Sequence, residues 1–221
     1  MSTLKSEKSL WLRIEVFPFF ERALLLCTPE GNVLWDCISL VDDATVTLIN
    51  GLGGLRAIAI SHPHFYTTLV DWSRAFENVP VHLHADDAKS VRQPDSCIKF
   101  WQGERFELQK GITLVRGGGH FPGGAMLHWV AGAGGKGVVC SADMVIANLD
   151  RKSFSFMRSI PNFIPLSEKA VRAAGAALAP LAFDRVYSHH FERVIHSGAK
   201  QILQSSIERY VAALGGAYDR T

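Results

Sequence analysis

The sequence carries almost no surplus of charge. Twenty-three basic residues stand against 21 acidic ones, for a net charge of +2. Nowhere do Lys and Arg gather into a stripe, so neither nucleic acid nor an anionic membrane is expected as a partner. A small-molecule substrate is the expected ligand, and a homodimer is the assembly left open. The chain also lacks an apolar run of the ~20 residues that a bilayer-crossing helix needs; the longest lies around "AGAALAPLAF". Its four cysteines, Cys27, Cys37, Cys97 and Cys140, include no Cys-x-x-Cys pair, and "MSTLKSEKSL" at the start is charged where a signal peptide needs an apolar core. Reduced thiols and a cytoplasmic location follow as expectations. Repeats and low-complexity tracts are missing as well. What remains is 48% apolar, 20% charged and 10% aromatic residues over 221 positions. That is the balance of a globular chain able to bury one sizeable core, expected as one domain over 1–221.

Strand and helix signals alternate. "ALLLCTP" and "NVLWDC" flank the turn "EGN" and predict a hairpin. "VDDATVTLINGLGG" opens on acidic residues, keeps helical apolar spacing and stops at a glycine pair, which predicts a helix feeding the short strand "LRAIAIS". Leu69, Trp72 and Phe76 share one helical face, with Thr68 as a cap, Asp71 three residues later, and Pro80 as the stop. "VPVHLHADD" is a strand end, and residues 98–143 read as short strands parted by glycine turns. Residues 151–165 read as a loop. Two late helices, "SEKAVRAAGAALAPL" and "AKQILQSSIERYVAAL", flank the strand "FDRVYSHH". The mixture of βα units and hairpins implies an α/β chain with helices on the outer faces of two sheets or of one large sheet.

Residues that bind metals recur at strand ends. In "ISHPHFYTTLVDW", His62 and His64 are two apart, and Pro63 biases His62 towards extended backbone, where residues i and i+2 point to one side. His120 follows "ITLVR" within "GGGHFPGG", Asp143 ends "GVVCSAD", and His190 ends "FDRVYSHH". Four strands thus finish on residue types that ligate zinc or iron, at the strand ends where α/β sheets build their sites.

These motifs resemble the metallo-β-lactamase superfamily, with its His-x-His-x-Asp-His after a strand, a later Gly-His-x-Pro-Gly, a strand ending in Asp and a last strand ending in His. "HPHFYT" matches the first at its two leading histidines, "GHFPGG" the second, "SAD" the third and "YSHH" the last, loosely, over most of the chain from about residue 23 to 200. The resemblance implies a four-layer αβ/βα sandwich, of α/β (α+β) class. It also implies one metal ion, zinc with iron or manganese as alternatives, held by His62, His64 and His120 with Asp143 reaching or bridging and His190 left for a second site. Where the family continues with Asp and His, this chain has Tyr66 and Thr67, so the second metal site is incomplete. Tyr66 would then have to position the attacking water through its phenol, or else simply packs into the vacated space.

The resemblance implies a hydrolase in which a metal-bound hydroxide opens an ester, thioester or lactone in a small molecule. Two alternatives stay open: a mononuclear non-haem iron dioxygenase acting on persulfide sulfur, and a degenerate member that binds a ligand without turnover. By the same resemblance Asp143, Tyr66 and His84 are the candidate catalytic residues, with His84 at the pocket rim. His189 and His190 would lie on opposite strand faces, so only one would face the site, His190 being the one the resemblance prefers. Phe154, Phe156, Met157 and Phe163 would either wall the pocket or pack in the core.

Overall fold

The computed structural model describes residues 22–220 and the backbone of 9–12. The first sheet has six strands in chain order: β1 (Ser9–Leu12), β2 (Ala23–Leu26), β3 (Val33–Trp35), β4 (Ala57–Ala59), β5 (Val81–His84) and β6 (Ile98–Trp101). Of these β1 to β3 are antiparallel neighbours and β3 to β6 run parallel. The parallel half requires crossovers. They are supplied by α1 (Asp43–Gly51), α2 (Leu69–Ala75) and a segment that includes the 3₁₀ turn Ala85–Ser90. The second sheet begins with the meander β7 (Arg105–Gln109), β8 (Ile112–Arg116) and β9 (Ala125–Trp129). A distorted turn, α3 (Gly132–Gly135), leads into β10 (Val138–Ala142). Two small ribbons follow, β11 (Ile146–Ala147) with β12 (Phe154–Ser155) and β13 (Met157–Ser159) with β14 (Ile164–Pro165). Then come α4 (Glu168–Leu178), β15 (Arg185–Ser188), β16 (Val194–Ile195) and α5 (Ala199–Leu214). The order across the second sheet is β16-β15-β10-β9-β8-β7.

Three buried clusters show how the layers stack. Strand alternation sends Leu25, Leu34 and Ile58 outward against Ile49 of α1 and Trp72 of α2. The intervening residues Leu24, Leu26 and Val33 turn the other way and meet Ile112, Leu114 and Leu127 of the second sheet. Met126, Val139 and Val186 face Val171 of α4 and Leu203 and Ile207 of α5. The result is the αβ/βα sandwich expected from the resemblance, with each sheet apolar on both faces. No helix among the described residues is long and apolar enough to cross a membrane.

The hairpin, the helix after Asp42 and the late helices fall where the sequence places them, and Asp42 accepts from the Thr45 N–H as the cap of α1. Two local expectations are corrected. Thr68 makes no side-chain cap; its hydroxyl donates to the Ile38 carbonyl, as does the Trp72 indole, which ties α2 to the loop after β3. The 151–165 segment is not all loop, because Phe154 and Phe156 are buried and draw its backbone into the ribbon strands, whereas Phe163 is 82% exposed.

Candidate metal centre

The strand ends converge because of how the sheets are wound. β8 and β10 each run antiparallel to β9, and β15 runs parallel to β10, so the three finish at one edge. The last paired residues of β10 and β15 are Ala142 and Ser188, which leaves Asp143 and His189 one step beyond on neighbouring strands. Ala142 has φ 45°, a left-handed value, next to a register shift in β10. This strained residue turns the chain so that the next side chain leaves the sheet edge. Ser188 Oγ accepts from the Ala147 N–H and donates to the Val145 carbonyl, bracing the segment that follows Asp143 against β15.

His120 lies in the loop between Arg116 and Ala125, the last pair of the β8–β9 hairpin. Gly118 and Gly119 adopt φ of 61° and 78° there, values that favour glycine. Gly124 has no room for a side chain, since a Cβ would fall 2.3 Å from Met144 Sδ. The Ala125 N–H donates to the Ser61 carbonyl at 2.8 Å, which fastens this loop to the segment leaving β4 and so joins the two sheets at the centre.

The His-Pro-His segment is not extended throughout. His62 is (φ −166°, ψ 170°), as the following proline favours, but Pro63–Phe65 coil into a 3₁₀ turn. The two imidazoles still meet, with His62 Nε2 3.0 Å from His64 Nδ1. Asp143 Oδ2 lies 3.5 Å from His62 Nε2, 3.9 Å from His64 Nδ1 and 3.7 Å from His120 Nε2. One donor atom from each of these four residues falls within 4.8 Å of the others. Asp143, His189 and His190 form a second such group, with His189 Nδ1 3.6 Å from Asp143 Oδ1. The expectation that only one of the two would face the site is corrected, since both His189 and His190 fall in this group. β15 stops at Ser188, so strand alternation no longer separates them; His189 is the buried one and His190 is half-buried.

Surrounding bonds orient these rings. Ser61 Oγ is 2.8 Å from His62 Nδ1, and the Ser61 N–H donates to Asp36 Oδ1 at 2.7 Å. His120 Nδ1–H donates to the Met157 carbonyl at 3.0 Å, so the Nε2 lone pair faces the centre. Burial, with His62 and His120 alongside, pulls His64 down to about 4, and burial also lowers His120 and brings His189 to about 3. His64, His120 and His189 are thereby held towards the neutral form, the state that ligates metals. Burial works against ionisation of Asp143, yet the histidines around it, His189 foremost, hold its carboxyl well below the usual carboxylate range.

Two of these atoms test whether a metal fits. His120 Nε2 and Asp143 Oδ1 are buried without a hydrogen-bond partner. Such groups cost free energy unless something else satisfies them. Three imidazole nitrogens and a carboxylate oxygen are a donor set that zinc or iron accepts.

The other candidates stand apart. Tyr66 closes the 3₁₀ turn and packs in the outer core of the first sheet, where burial, with Asp87 and Asp36 nearby, pushes its phenol far above the ordinary value. It stays protonated, able to donate but not to act as a base. His84, placed at the pocket rim by the resemblance, is buried and tied to backbone: its Nδ1 accepts from the Asp86 N–H and its Nε2 donates to the Gly103 carbonyl, so both nitrogens are committed. Phe154 and Phe156 are core residues, and Met157 serves the centre through its carbonyl. Asp36 escaped the sequence reading, because one Asp after an apolar strand has no distinguishing pattern. It is wholly buried at φ 65°, and burial raises its carboxyl to about 7.

No family model matches the sequence. The uncharacterized protein YmaE of Bacillus subtilis is 42% identical over 214 residues, an alignment covering 96% of this chain and 77% of YmaE. Among solved structures, a B3 metallo-β-lactamase with an active-site glutamic acid superposes with a TM-score of 0.61 at 19% identity, over 91% of this chain and 86% of its own. MEM-A1, a subclass B3 metallo-β-lactamase from a soil metagenome library, gives 0.61 at 17% over 95% and 94%. TTHA1623 in a di-iron-bound form gives 0.60 at 24% over 81% and 91%. With strand order, layering and the convergent histidines all in agreement, the chain has the metallo-β-lactamase fold and belongs to the same family as YmaE.

Proposed function

We propose that the protein is a metal-dependent hydrolase acting on an ester, thioester or lactone bond of a small molecule. The observation that carries this reading is the convergence of His62, His64, His120 and Asp143 with His120 Nε2 and Asp143 Oδ1 buried and unsatisfied. These four residues would hold one ion, zinc or, as in the di-iron-bound form of TTHA1623, iron. When bound, such an ion acidifies a coordinated water and polarises a carbonyl. The chain's own part is orientation. Ser61 and the Met157 carbonyl fix the His62 and His120 rings, and Asp143 is kept ionised among them to offset the positive charge of the ion. With Tyr66 protonated and His84 committed to backbone bonds, Asp143 is the carboxylate that lies among His62, His64 and His120 and would accept a proton there.

Elemental analysis of protein purified without chelator tests the reading together with a panel of chromogenic esters, thioesters and lactones. The expected result is close to one equivalent of metal, its loss in His120→Ala, and hydrolysis that disappears with it. Two equivalents would assign the second ion to Asp143, His189 and His190. Full metal retention by His120→Ala would defeat the assignment of the centre, and a silent panel with metal bound would defeat the hydrolase.

A further inference from the structure

His64 has a side chain 44% exposed, whereas His62, His120 and Asp143 are buried, so the centre opens to solvent on the side of the Pro63–Phe65 turn. That turn forms one wall of a cavity of about 470 Å³ through Pro63, Tyr66 and Thr67. The opposite wall is the segment after β5, with Lys89, Ser90 and Arg92. Tyr66 and Thr67 are the positions where the superfamily pattern has Asp and His, so this chain has a cavity wall where the pattern places metal ligands.

The two cations that line this cavity, Lys89 and Arg92, are both exposed. They make no ion pair among the described residues; Asp87 on the same segment accepts from the Gly123 N–H through Oδ1, while its buried Oδ2 has no hydrogen-bond partner and its charge acts on Tyr66. A second cavity, of about 500 Å³ between the glycine run and α4, also has two arginines, but both are engaged there. Arg116 pairs with Asp86 at 2.6 Å and Glu104 at 3.1 Å, and Arg105 donates to the Ala177 carbonyl. In a chain whose net charge is only +2, two unpaired cations beside hydroxyl and amide donors in one cavity mark a place for an oxyanion.

We propose that the cavity between the Pro63–Thr67 turn and the Lys89–Arg92 segment recognises an anionic group, carboxylate or phosphate, carried by the molecule whose bond is broken at the histidine centre. As a statement about substrate, this rests on the hydrolase reading. As a statement about anion binding, it does not. Arg92 would grip two oxygens in a fork, Lys89 would add a point charge, and the reacting carbonyl would lie towards His64.

Two measurements separate the claims. Propionate and methyl phosphate are titrated at low salt into the purified protein, into the metal-stripped His120→Ala variant and into the double variant Lys89→Met/Arg92→Met, followed by backbone amide NMR shifts. Saturable shifts at residues 89–93 are expected in the first two, which places the anion away from the metal, with affinity weakened roughly tenfold or more in the double variant. The better of the two probes identifies the oxyanion. No saturable shift with either probe, or equal affinity in the double variant, overturns the proposal. Then p-nitrophenyl acetate and mono-p-nitrophenyl succinate are compared with metal bound. The anionic ester is expected to have the higher kcat/KM by roughly tenfold, a preference that falls to about one in the double variant. Equal rates in the wild type would overturn the substrate claim and leave the hydrolase standing. Hydrolysis of neither would count against the hydrolase, and the titration would still judge the cavity.

Discussion

At the scale of single residues, the candidate centre is braced by groups outside the His62, His64, His120 and Asp143 cluster. Ser61 bonds the ring of His62 on one side and Asp36 on the other. Ser61→Ala is expected to weaken metal binding about 10- to 100-fold, as loss of such supporting bonds does elsewhere; competition against a chromogenic chelator measures it, and unchanged affinity would show that His62 needs no support. Asp36 makes a second prediction. Its usual value of 3.8 is raised to about 7 by burial. Between those values the folded chain keeps a proton that the unfolded chain has released, so the stabilising contribution is complete below about pH 4 and lost as pH rises through about 7. Metal-free Asp36→Asn should therefore gain stability relative to the wild type across that window, with a constant difference above it. Urea midpoints at several pH values read this, and a difference independent of pH would contradict the buried, protonated carboxyl.

At the scale of elements, the 151–165 segment shows how packing overrides an irregular sequence. Its aromatics are alike in type and close in number, yet Phe154 is fully buried against α5 and Phe163 is exposed. Tyr210 of α5 donates to the Phe156 carbonyl and accepts from the Leu166 N–H, so the segment is clasped to the helix rather than free to swing. Phe154→Ala should cost about 3–5 kcal/mol of stability, whereas Phe163→Ala should stay within about 0.5 kcal/mol. Similar costs in chemical denaturation would refute the burial contrast. The same clasp presents the Met157 carbonyl to His120, which links the packing of α5 to the geometry of a candidate metal ligand.

At the scale of the whole molecule, the centre is a fastening between sheets. His62 leaves the first sheet, while His120, Asp143 and His189 leave the second. An ion held between them binds only the folded arrangement. Saturating zinc should therefore raise the melting temperature, with a stabilisation of about 3 kcal/mol at a free concentration one hundred times the dissociation constant. The shift should vanish with chelator and in His120→Ala. A thermal shift of the same size in His120→Ala would show that zinc acts elsewhere.

The strand-end histidines, the glycines of "GGGHFPGG" and the periodic helices were legible from residue order alone. Their signals are local: a turn needs its glycine and a helix its apolar stripe in the sequence itself. His62, His64, His120 and Asp143 could be singled out for the same reason, each closing a recognisable run. Whether Phe154 or Phe163 is buried, whether His189 or His190 lies deeper, and that His84 is spent on backbone bonds while Asp36 and Ser61 brace His62 were settled by packing between distant segments. Burial and hydrogen-bond partners depend on which elements meet, and α5, β15 and the two sheets come together only through the tertiary fold.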